Sequence, residues 1–268
     1  MKFNFYSADI NEDYDPAKHL RKFESLNETH DRRRRLARAL LEFGEPGRTL
    51  AERLNGCGLT KCRSAGCPVC LRAFRRWWGS TLAEYMARDP EFWFTVSVVP
   101  PDLFDVGHLG GFNYDMLKDR VRKQIARGPI SEPIVLGGID YDLKHFDDDR
   151  PPRWCPHLYF LFSGGGIAPI ESTFRRHYPK SDDVKRPVVV KSQKTLREDL
   201  VSTATYTIKA RFKNRRPSTD DRGNADTEND ELSLHHQAEL AILLHKQGFL
   251  GRMIRHGNDS AFPALKVR

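Results

Sequence analysis

Four cysteines constrain this chain more than any other feature of its sequence. Cys57, Cys62, Cys67 and Cys70 follow the pattern C-x4-C-x4-C-x2-C within fourteen positions. Thiolates are preferred ligands of structural zinc, and short loops ending in C-x2-C can place four of them at tetrahedral corners. The alternative, four unpaired core cysteines, is disfavoured because the segment is polar and rich in glycine. The spacing therefore predicts a structural zinc ion with four protein ligands and no open position.

The chain is basic, and its cations are clustered. It has 268 residues, enough for one large domain or one domain with small appendages, and a net charge of +8 at pH 7. Residues 61–78 contain five Lys or Arg and no acid. Clustered cations favour polyanionic partners, because cations placed against phosphates release condensed counterions. The start lacks an apolar signal segment and no stretch is long enough to span a membrane, which predicts a cytoplasmic protein without a membrane partner.

Hydrophobic periodicity divides the chain into five segments. Residues 91–216 show strands and helices in the order strand, helix, strand, strand, helix, strand, helix. This order is typical of an α+β fold, in which helices pack on an antiparallel sheet, here called the palm. The other segments are predicted as a flexible acidic arm (1–30), basic helices with the zinc-binding cysteines (31–90), an acidic loop (217–231), and a C-terminal helix with a tail (232–268).

A basic amphipathic helix is predicted directly after the cysteines. Arg72, Arg75 and Arg76 precede two tryptophans, Trp77 and Trp78. Arginines in such a position could hold DNA phosphates. The alternative is a solvated face of the helix with the tryptophans in the core.

One predicted strand carries a histidine that could bind metal. Because side chains two apart on a strand face the same way, His157 and Tyr159 share one face of the strand over 154–164. Asp140 and Asp142 likewise share a face of a neighbouring predicted strand. If the two strands pair, an acid and a histidine could converge on a divalent ion. The alternative is a structural histidine that only satisfies hydrogen bonds.

A tyrosine is predicted to lie away from the apolar face of a helix over 194–213. The apolar stripe of this helix recurs every four residues: Leu196, Leu200, Ala204 and Ile208. At 100° per residue, Tyr206 lies far from the stripe and close to Lys209 and Lys213. A phenol beside cations is a candidate nucleophile. The alternative is a surface tyrosine that packs on lysine stems.

Taken in order, these motifs form a pattern. The corresponding runs are CPVCLRAFRRWW (67–78), FWFTVSV (92–98), GGIDYDL (137–143), WCPHLYFLF (154–162) and YTIK (206–209). This order resembles the rolling-circle replication initiators of bacterial plasmids, in the HUH endonuclease superfamily. The resemblance covers roughly residues 55–213.

The resemblance implies a fold and an activity. The fold is an antiparallel-sheet palm of the HUH type, with the zinc-binding cysteines as an insertion. The activity is nicking and joining of one DNA strand at a plasmid or phage origin, through a 5′-phosphotyrosine on Tyr206. Mg²⁺ or Mn²⁺, held by His157 with Asp140 or Asp142, would polarise the phosphate, and Lys209 would stabilise charge. Single-stranded or origin DNA is the implied partner, bound also by Lys213, with a host replication helicase.

One position departs from the family pattern. The second histidine of the P-H-x-H motif is Tyr159 in this chain. Either the site works with His157, one aspartate and water, or the metal is lost. Two further hypotheses therefore stay open: a catalytically inactive HUH-like DNA-binding protein, and a zinc-ribbon regulator that binds nucleic acid.

Overall fold

The computed structural model describes residues 5–6, 8–58, 60–88, 92–193, 196–223 and 225–257. Its helices are α1 (Pro16–His19), α2 (Leu26–Ala39), α3 (Gly44–Asn55), α4 (Pro68–Arg88), α5 (Tyr114–Ala126), α6 (Ile167–Arg175), α7 (Arg197–Tyr206) and α8 (Leu234–Arg252). Its strands are β1 (Trp93–Val98), β2 (Phe104–Asp105), β3 (Val135–Lys144), β4 (Arg153–Ser163), β5 (Val188–Ser192), β6 (Lys213–Thr219), β7 (Ala225–Glu231) and β8 (Met253–His256). The predicted tail beyond residue 257 lies outside the described residues.

The strands form one mixed sheet in the order β5-β1-β4-β3-β6-β7, to which β2 and β8 add short pairings with β4 and β3. The centre is the antiparallel pair β3–β4, in register from Val135↔Phe162 to Lys144↔Arg153. Only the contact between β3 and β6 is parallel among the described strands. The predicted α+β class is confirmed, and the sheet is mixed rather than purely antiparallel.

Side chains of β4 alternate between the two faces of the sheet. Trp154, Leu158 and Phe160 are buried on one face, and the rings of Phe160 and Phe174 of α6 lie 5.4 Å apart there. The other face, which we call the open face, is less buried along β4. Because directly paired residues point to the same side, the register places on it Ser97, Asp140, Asp142, Cys155, His157 and Tyr159.

Helix α4 lies in the core and fixes the position of α7. Its Phe74 and Trp78 are buried, with ring centroids 6.2 Å apart. The indole N–H of Trp78 donates to Thr207 Oγ1 at 2.8 Å, directly after α7. A Cβ at Gly79 would lie 2.4 Å from Thr205 Oγ1, so glycine allows this close approach of the two helices. Of the two alternatives left open for the basic helix, the one that places both tryptophans in the core agrees with the burial of Trp77 and Trp78.

The N-terminal segment is ordered and bonded to α4. It contains a short 3-10 helix (Glu12–Tyr14) and α1, and Asp15 and Glu24 are buried. Asp15 accepts two hydrogen bonds from Arg76, and Glu24 accepts from Arg75 with both oxygens. The predicted arm (1–30) therefore contains helical turns whose acids neutralise arginines of α4, and its flexibility stays a prediction; residues 1–4 and 7 lie outside the described residues.

Glu24→Gln is expected to lower the free energy of unfolding by about 2 kcal/mol, the loss of a charged hydrogen-bonded partner. Burial alone would raise the pKa of Glu24, but the Arg75 charge holds it below its ordinary value of 4.5. The stabilisation is therefore complete above that value and is lost as pH falls through the lower folded pKa. Urea unfolding at neutral and acidic pH measures both effects.

Glu12→Gln is the matched control, because the Glu12 side chain is 83% exposed although it also contacts a lysine. This variant should unfold like the wild type at every pH. Equal stability of Glu24→Gln and wild type at neutral pH would show that the Glu24–Arg75 pair does not hold the segment.

The acidic segment 217–231 was expected to be a loop, and this prediction is wrong. Strands β6 and β7 form an antiparallel hairpin from Lys213↔Glu231 to Thr219↔Ala225. Two of the four acids of β7 lie opposite cations of β6: Glu228 opposite Arg216, and Glu231 opposite Lys213. Cross-strand pairs of opposite charge stabilise a hairpin that has almost no apolar side chains.

The helix predicted over 194–213 is also shorter than expected. It ends at Tyr206, and residues 194 and 195 lie outside the described residues. Beyond it, the backbone N–H groups of Lys209 and Lys213 donate to the carboxylates of Asp140 and Asp142, respectively. These acceptors on β3 replace the helical carbonyls, so the chain leaves the helix and enters β6.

Candidate metal centre and tyrosine site

The four cysteines form a cluster that could hold a metal ion such as zinc. Their sulfur atoms all lie within 4.8 Å of one another. The distances from Cys57 to Cys70, from Cys62 to Cys70 and from Cys67 to Cys57 are 3.6, 3.5 and 3.7 Å. A tetrahedral zinc with Zn–S bonds of ~2.3 Å requires S···S edges of about 3.8 Å. The predicted ligand set thus fits the geometry of a structural zinc site.

Two helix ends and an intervening loop supply the four sulfur atoms. Cys57 follows the end of α3, Cys67 and Cys70 lie at the start of α4, and Cys62 lies in the loop between them. Two arginines hold the backbone of this segment. Arg33 donates to the carbonyl of Cys57 and, at 2.8 Å, to that of Leu54, and Arg53 donates to the carbonyl of Cys62 at 2.9 Å.

The thiols of the cluster interact strongly enough to separate their pKa values. Hydrogen bonding with Cys67 lowers the pKa of Cys57 to about 6, and hydrogen bonding with Cys62 and Cys67 also lowers that of Cys70. The pKa of Cys67 is raised because its thiol acts as the donor. The pKa of Cys62 is raised to about 12, so two of the four thiols favour the thiolate and two keep their protons until a cation displaces them.

The open face brings Tyr206, Lys209 and Asp142 together. The rings of Tyr206 and Tyr159 meet edge to face with centroids 4.6 Å apart. The Lys209 ammonium lies 5.3 Å from the centroid of the Tyr206 ring and 3.4 Å from Asp142 Oδ2. Tyr206 is 45% exposed, whereas Lys209 is buried. The two residues of the Y-x-x-K run therefore lie in one site at the end of α7.

Both aspartates of β3 are already neutralised by cations of this chain. Asp140 is fully buried, and its carboxylate accepts from the Arg252 guanidinium at 2.5 Å and from the Lys209 backbone N–H. Asp142 contacts Lys209 and, at 2.8 Å, Arg215. Burial raises the pKa of Asp140 despite the Arg252 charge. Burial acts in the same direction on Asp142, but Lys209 and Arg215 hold its pKa below the ordinary range.

His157 has a protein partner on the neighbouring strand. Its Nε2 lies 2.7 Å from Ser97 Oγ. Burial and the nearby Lys209 charge lower the pKa of His157 to about 3, so the imidazole is neutral at physiological pH. A neutral ring with one hydroxyl partner can bind a cation, but a pKa this low makes it a weak proton acceptor. Ser97 was not predicted as a partner, although its place in the TVS run of β1, which pairs with the histidine strand, was a usable signal.

The predicted divalent-metal ligands do not converge on one point. Among the described residues, the four cysteines are the only group of three or more His, Cys, Asp or Glu ligand atoms close enough to share an ion. His157, Asp140 and Asp142 lie on the same face, as predicted, but the carboxylates are turned to guanidinium and ammonium groups. The open face therefore lacks the oxygen-rich donor set that Mg²⁺ or Mn²⁺ requires.

The arginines of α4 contact acids and carbonyls within the chain. Arg72 donates to the carbonyl of Glu24 at 2.6 Å. Arg75 bonds to the Glu24 carboxylate and to the carbonyl of Ile208, and Arg76 forms its ion pair with Asp15. Their DNA contacts stay a prediction, and so does that of Lys213. In the structure these arginines position neighbouring segments: Arg75, for example, links α4 to the backbone between Tyr206 and Lys209.

A cleft of about 660 Å³ opens beside the aspartates. His157, Asp142 and Arg215 line it together with four further Lys or Arg and four further aspartates. The basic side chains along it are Lys144, Lys185, Arg186, Arg215 and Arg216. Sequence analysis did not single out Arg215 or Arg252, because each reaches the site from an element far along the chain.

No protein-family model matches this chain, and comparison with curated proteins and with solved structures likewise finds no match. Within the described part of the chain, no helix combines the length and the apolar character that crossing a bilayer requires. Function is therefore inferred from the chemistry of the cysteine cluster and of the open face.

Proposed function

We propose that this protein nicks and rejoins single-stranded DNA through Tyr206, as an initiator of replication at a plasmid or phage origin. The observation that carries the proposal is the placement of an exposed tyrosine beside a buried lysine on the open face of an antiparallel strand pair. The neutral imidazole of His157 lies on the same face. This is the arrangement expected of an HUH-type palm, and it joins motifs separated by about fifty residues of sequence.

The chemistry is a transesterification. The Tyr206 oxygen attacks a backbone phosphorus, forming a tyrosine–phosphate bond as the bond from phosphorus to the 3′-oxygen breaks. The phenol proton is lost, and the departing 3′-oxygen gains one, so the products are a 5′-phosphotyrosine and a free 3′-hydroxyl. Attack by that hydroxyl reverses the step and rejoins the strand. Positive charge fixed near the reacting phosphate stabilises the charge that develops on its oxygens.

Electrostatics favour DNA as the partner. The net charge is +8, and the cleft beside His157 is lined by five Lys or Arg side chains and five aspartates. Rim acids of the cleft are partly compensated, because Asp183 pairs with Arg150 and Asp182 with Lys185. A single strand in this cleft would lie beside Asp142, whose partner Lys209 is 5.3 Å from the centroid of the Tyr206 ring. A host replication helicase is the second partner that this role implies.

Tyr206→Phe is expected to abolish covalent attachment to DNA while leaving DNA binding unchanged, because phenylalanine has no nucleophile but fills the same space. Purified protein is incubated with a single-stranded DNA library whose central segment is randomised. Denaturing gels then detect protein–DNA adducts, and filter binding measures affinity. The wild type should form an adduct, and Tyr206→Phe should fall to background.

Tyr14→Phe is the matched control. Tyr14 also lies under a cation, with Arg197 5.5 Å from its ring centroid, but it belongs to the N-terminal segment. It should keep the adduct. An adduct that persists in Tyr206→Phe would assign the nucleophile to another residue and contradict the proposal.

A catalytically inactive DNA-binding relative is the second candidate. The ion pairs of Asp140 and Asp142, with Tyr159 in place of a histidine, favour it because they remove the expected metal ligands. DNA binding without an adduct under any condition would support this candidate. A separable zinc-ribbon regulator is less favoured, because three of the four cysteines and much of α4 are buried in the main core.

A further inference from the structure

The site around Tyr206 holds fixed positive charge where a metal ion would otherwise act. Lys209 and Arg215 both contact Asp142, at 3.4 and 2.8 Å. Asp142 thus has two cations for one carboxylate, and Asp140 is satisfied separately by Arg252. The local balance is an excess of one positive charge before any ligand binds. Such an excess on a partly open surface favours an anion and disfavours a second cation.

Arg215 is the residue best placed to receive that anion. Its side chain is 37% exposed and lines the cleft that also contains His157. One guanidinium nitrogen, Nη2, contacts Asp142, whereas Nε–H is buried and has no partner among the described residues. Because Nε–H is not accessible from the cleft, a ligand there would be met by the terminal N–H groups of the guanidinium. Arginine forms bidentate hydrogen bonds to phosphate, and the contact with Asp142 fixes its plane.

We propose that Arg215, with the charge of Lys209 beside it, binds the scissile phosphate in place of a divalent metal ion, so that nicking needs neither Mg²⁺ nor Mn²⁺. This inference rests on the proposed function above. Arg215 is the catalytic residue that contacts the phosphate oxygens. Lys209 is a positioning residue, because it is buried against Asp142 and the Tyr206 ring and acts through them.

The step needs no further reagent. The Tyr206 oxygen forms a bond to phosphorus, and the bond to the 3′-oxygen breaks with its electron pair. The phenol proton passes to water, and the leaving 3′-oxygen receives a proton from water. The guanidinium of Arg215 carries the negative charge of the phosphate oxygens throughout, which is the role that a metal ion would have as a Lewis acid.

The first test separates zinc from the other divalent ions. The full chain is purified with one equivalent of zinc per molecule, verified by elemental analysis, and passed into buffer stripped of divalent ions on a chelating resin. It is then incubated with the randomised single-stranded DNA library, alone or with Mg²⁺ or Mn²⁺. We expect the Tyr206 adduct in the stripped buffer, at a rate that added Mg²⁺ or Mn²⁺ raises less than about twofold.

The second test removes the guanidinium. Arg215→Ala should slow adduct formation about 100-fold, the effect of losing one preorganised donor to a developing oxyanion. Arg215→Lys keeps the charge against Asp142, and with it the fold, but loses the planar donor pair, so it should recover only part of the rate. Arg153→Ala is the matched control, because Arg153 is equally 37% exposed and also pairs with one aspartate, Asp105, but does not line the cleft. It should leave the rate unchanged.

Two results would overturn the inference. An adduct that forms only after Mg²⁺ or Mn²⁺ is added would keep the proposed function and refute the metal-free site. Binding of Mn²⁺ to the zinc-loaded protein can be measured by electron paramagnetic resonance titration, independently of activity. Binding that is lost in Asp142→Asn would also refute the metal-free site. Absence of an adduct under every condition would refute the proposed function itself, and the inference with it.

Discussion

Removing the metal from the four-cysteine cluster is expected to unfold the protein around α3 and α4. Cys57, Cys67 and Cys70 are fully buried, and their sulfur atoms are spaced for a tetrahedral ion. Structural zinc contributes ~10 kcal/mol or more to the folding of small zinc-binding peptides. This is as large as the whole stability of a typical domain, about 5–15 kcal/mol. Without the ion, buried thiolates would repel one another or take up protons, and the contacts between the two helices would be lost.

The effect should extend to Tyr206. Helix α4 starts inside the cluster and, farther along, donates from Arg75 to the carbonyl of Ile208 and from Trp78 to Thr207. These bonds fix the backbone that places Tyr206 and Lys209 on the open face. We therefore expect loss of DNA adduct formation to accompany loss of the metal, although the cluster itself has no open coordination position for catalysis.

Elemental analysis of the purified chain should give one zinc per molecule. Removal of zinc by a strong chelator, or the substitution Cys70→Ser, should lower the melting temperature by tens of degrees or abolish the cooperative transition. Cys155→Ser is the matched control, because Cys155 lies on β4 outside the cluster, and it should melt like the wild type. A metal-free protein with an unchanged melting transition would show that the cluster is not a structural zinc site.

Local patterns in the sequence were enough to predict the cysteine cluster and the central strands. The four cysteines lie so close in sequence that their spacing nearly determines the geometry. The alternation of side chains along β4 predicted that His157 and Tyr159 share one face. The register shows that β4 pairs with β3, as the arrangement of His157 beside Asp140 required. Both predictions depend on residues within a few positions of one another, where periodicity carries the information.

The predictions that were wrong depend on partners distant in sequence. Helix α7 ends early because Asp140, more than sixty residues before it, accepts the backbone N–H of Lys209. The β6–β7 hairpin forms through charges on opposite strands in a segment whose composition is typical of a loop. Propensity and composition describe the isolated segment, so they could not reveal acceptors and counter-charges supplied by tertiary structure.

Partners distant in sequence also explain why the predicted ligands of a divalent metal ion do not converge on one point. The sequence correctly predicted Asp140, Asp142 and His157 on one face of the sheet, and a resemblance implied a divalent ion between them. It could not show that Arg252, at the end of α8, and Arg215, on β6, reach the two carboxylates. Residues that can bind a metal ion and that share one face therefore do not define a metal site, because each of them can be paired with another side chain of the same protein.

Arg252→Met is expected to lower the free energy of unfolding by about 3–5 kcal/mol, because it leaves the buried carboxylate of Asp140 without its counter-charge. Both side chains of this pair are 0% exposed. Arg252 also donates to the carbonyl of Lys209 at 3.1 Å, so it joins β3, the residues after α7 and the end of α8. Urea unfolding of the full chain at constant zinc measures the loss.

The double variant Asp140→Asn, Arg252→Met should recover much of that loss. It removes both charges, and a neutral amide can still accept the backbone N–H of Lys209. The coupling energy between the two sites, obtained from the two single variants and the double variant, should then be several kcal/mol.

The pH dependence of Arg252→Met tests the cause of the loss. Burial raises the pKa of Asp140 above its ordinary value of 3.8 even with Arg252 present, and removal of the guanidinium should raise it further. A carboxyl whose folded pKa is raised stabilises the protein below the unfolded pKa, and this contribution is lost as pH rises through the folded value. The deficit of Arg252→Met relative to wild type should therefore be smaller in mild acid than at neutral pH. A deficit that is the same at both pH values, and that Asp140→Asn does not reduce, would mean that Arg252 stabilises the core through its packing and not through its charge.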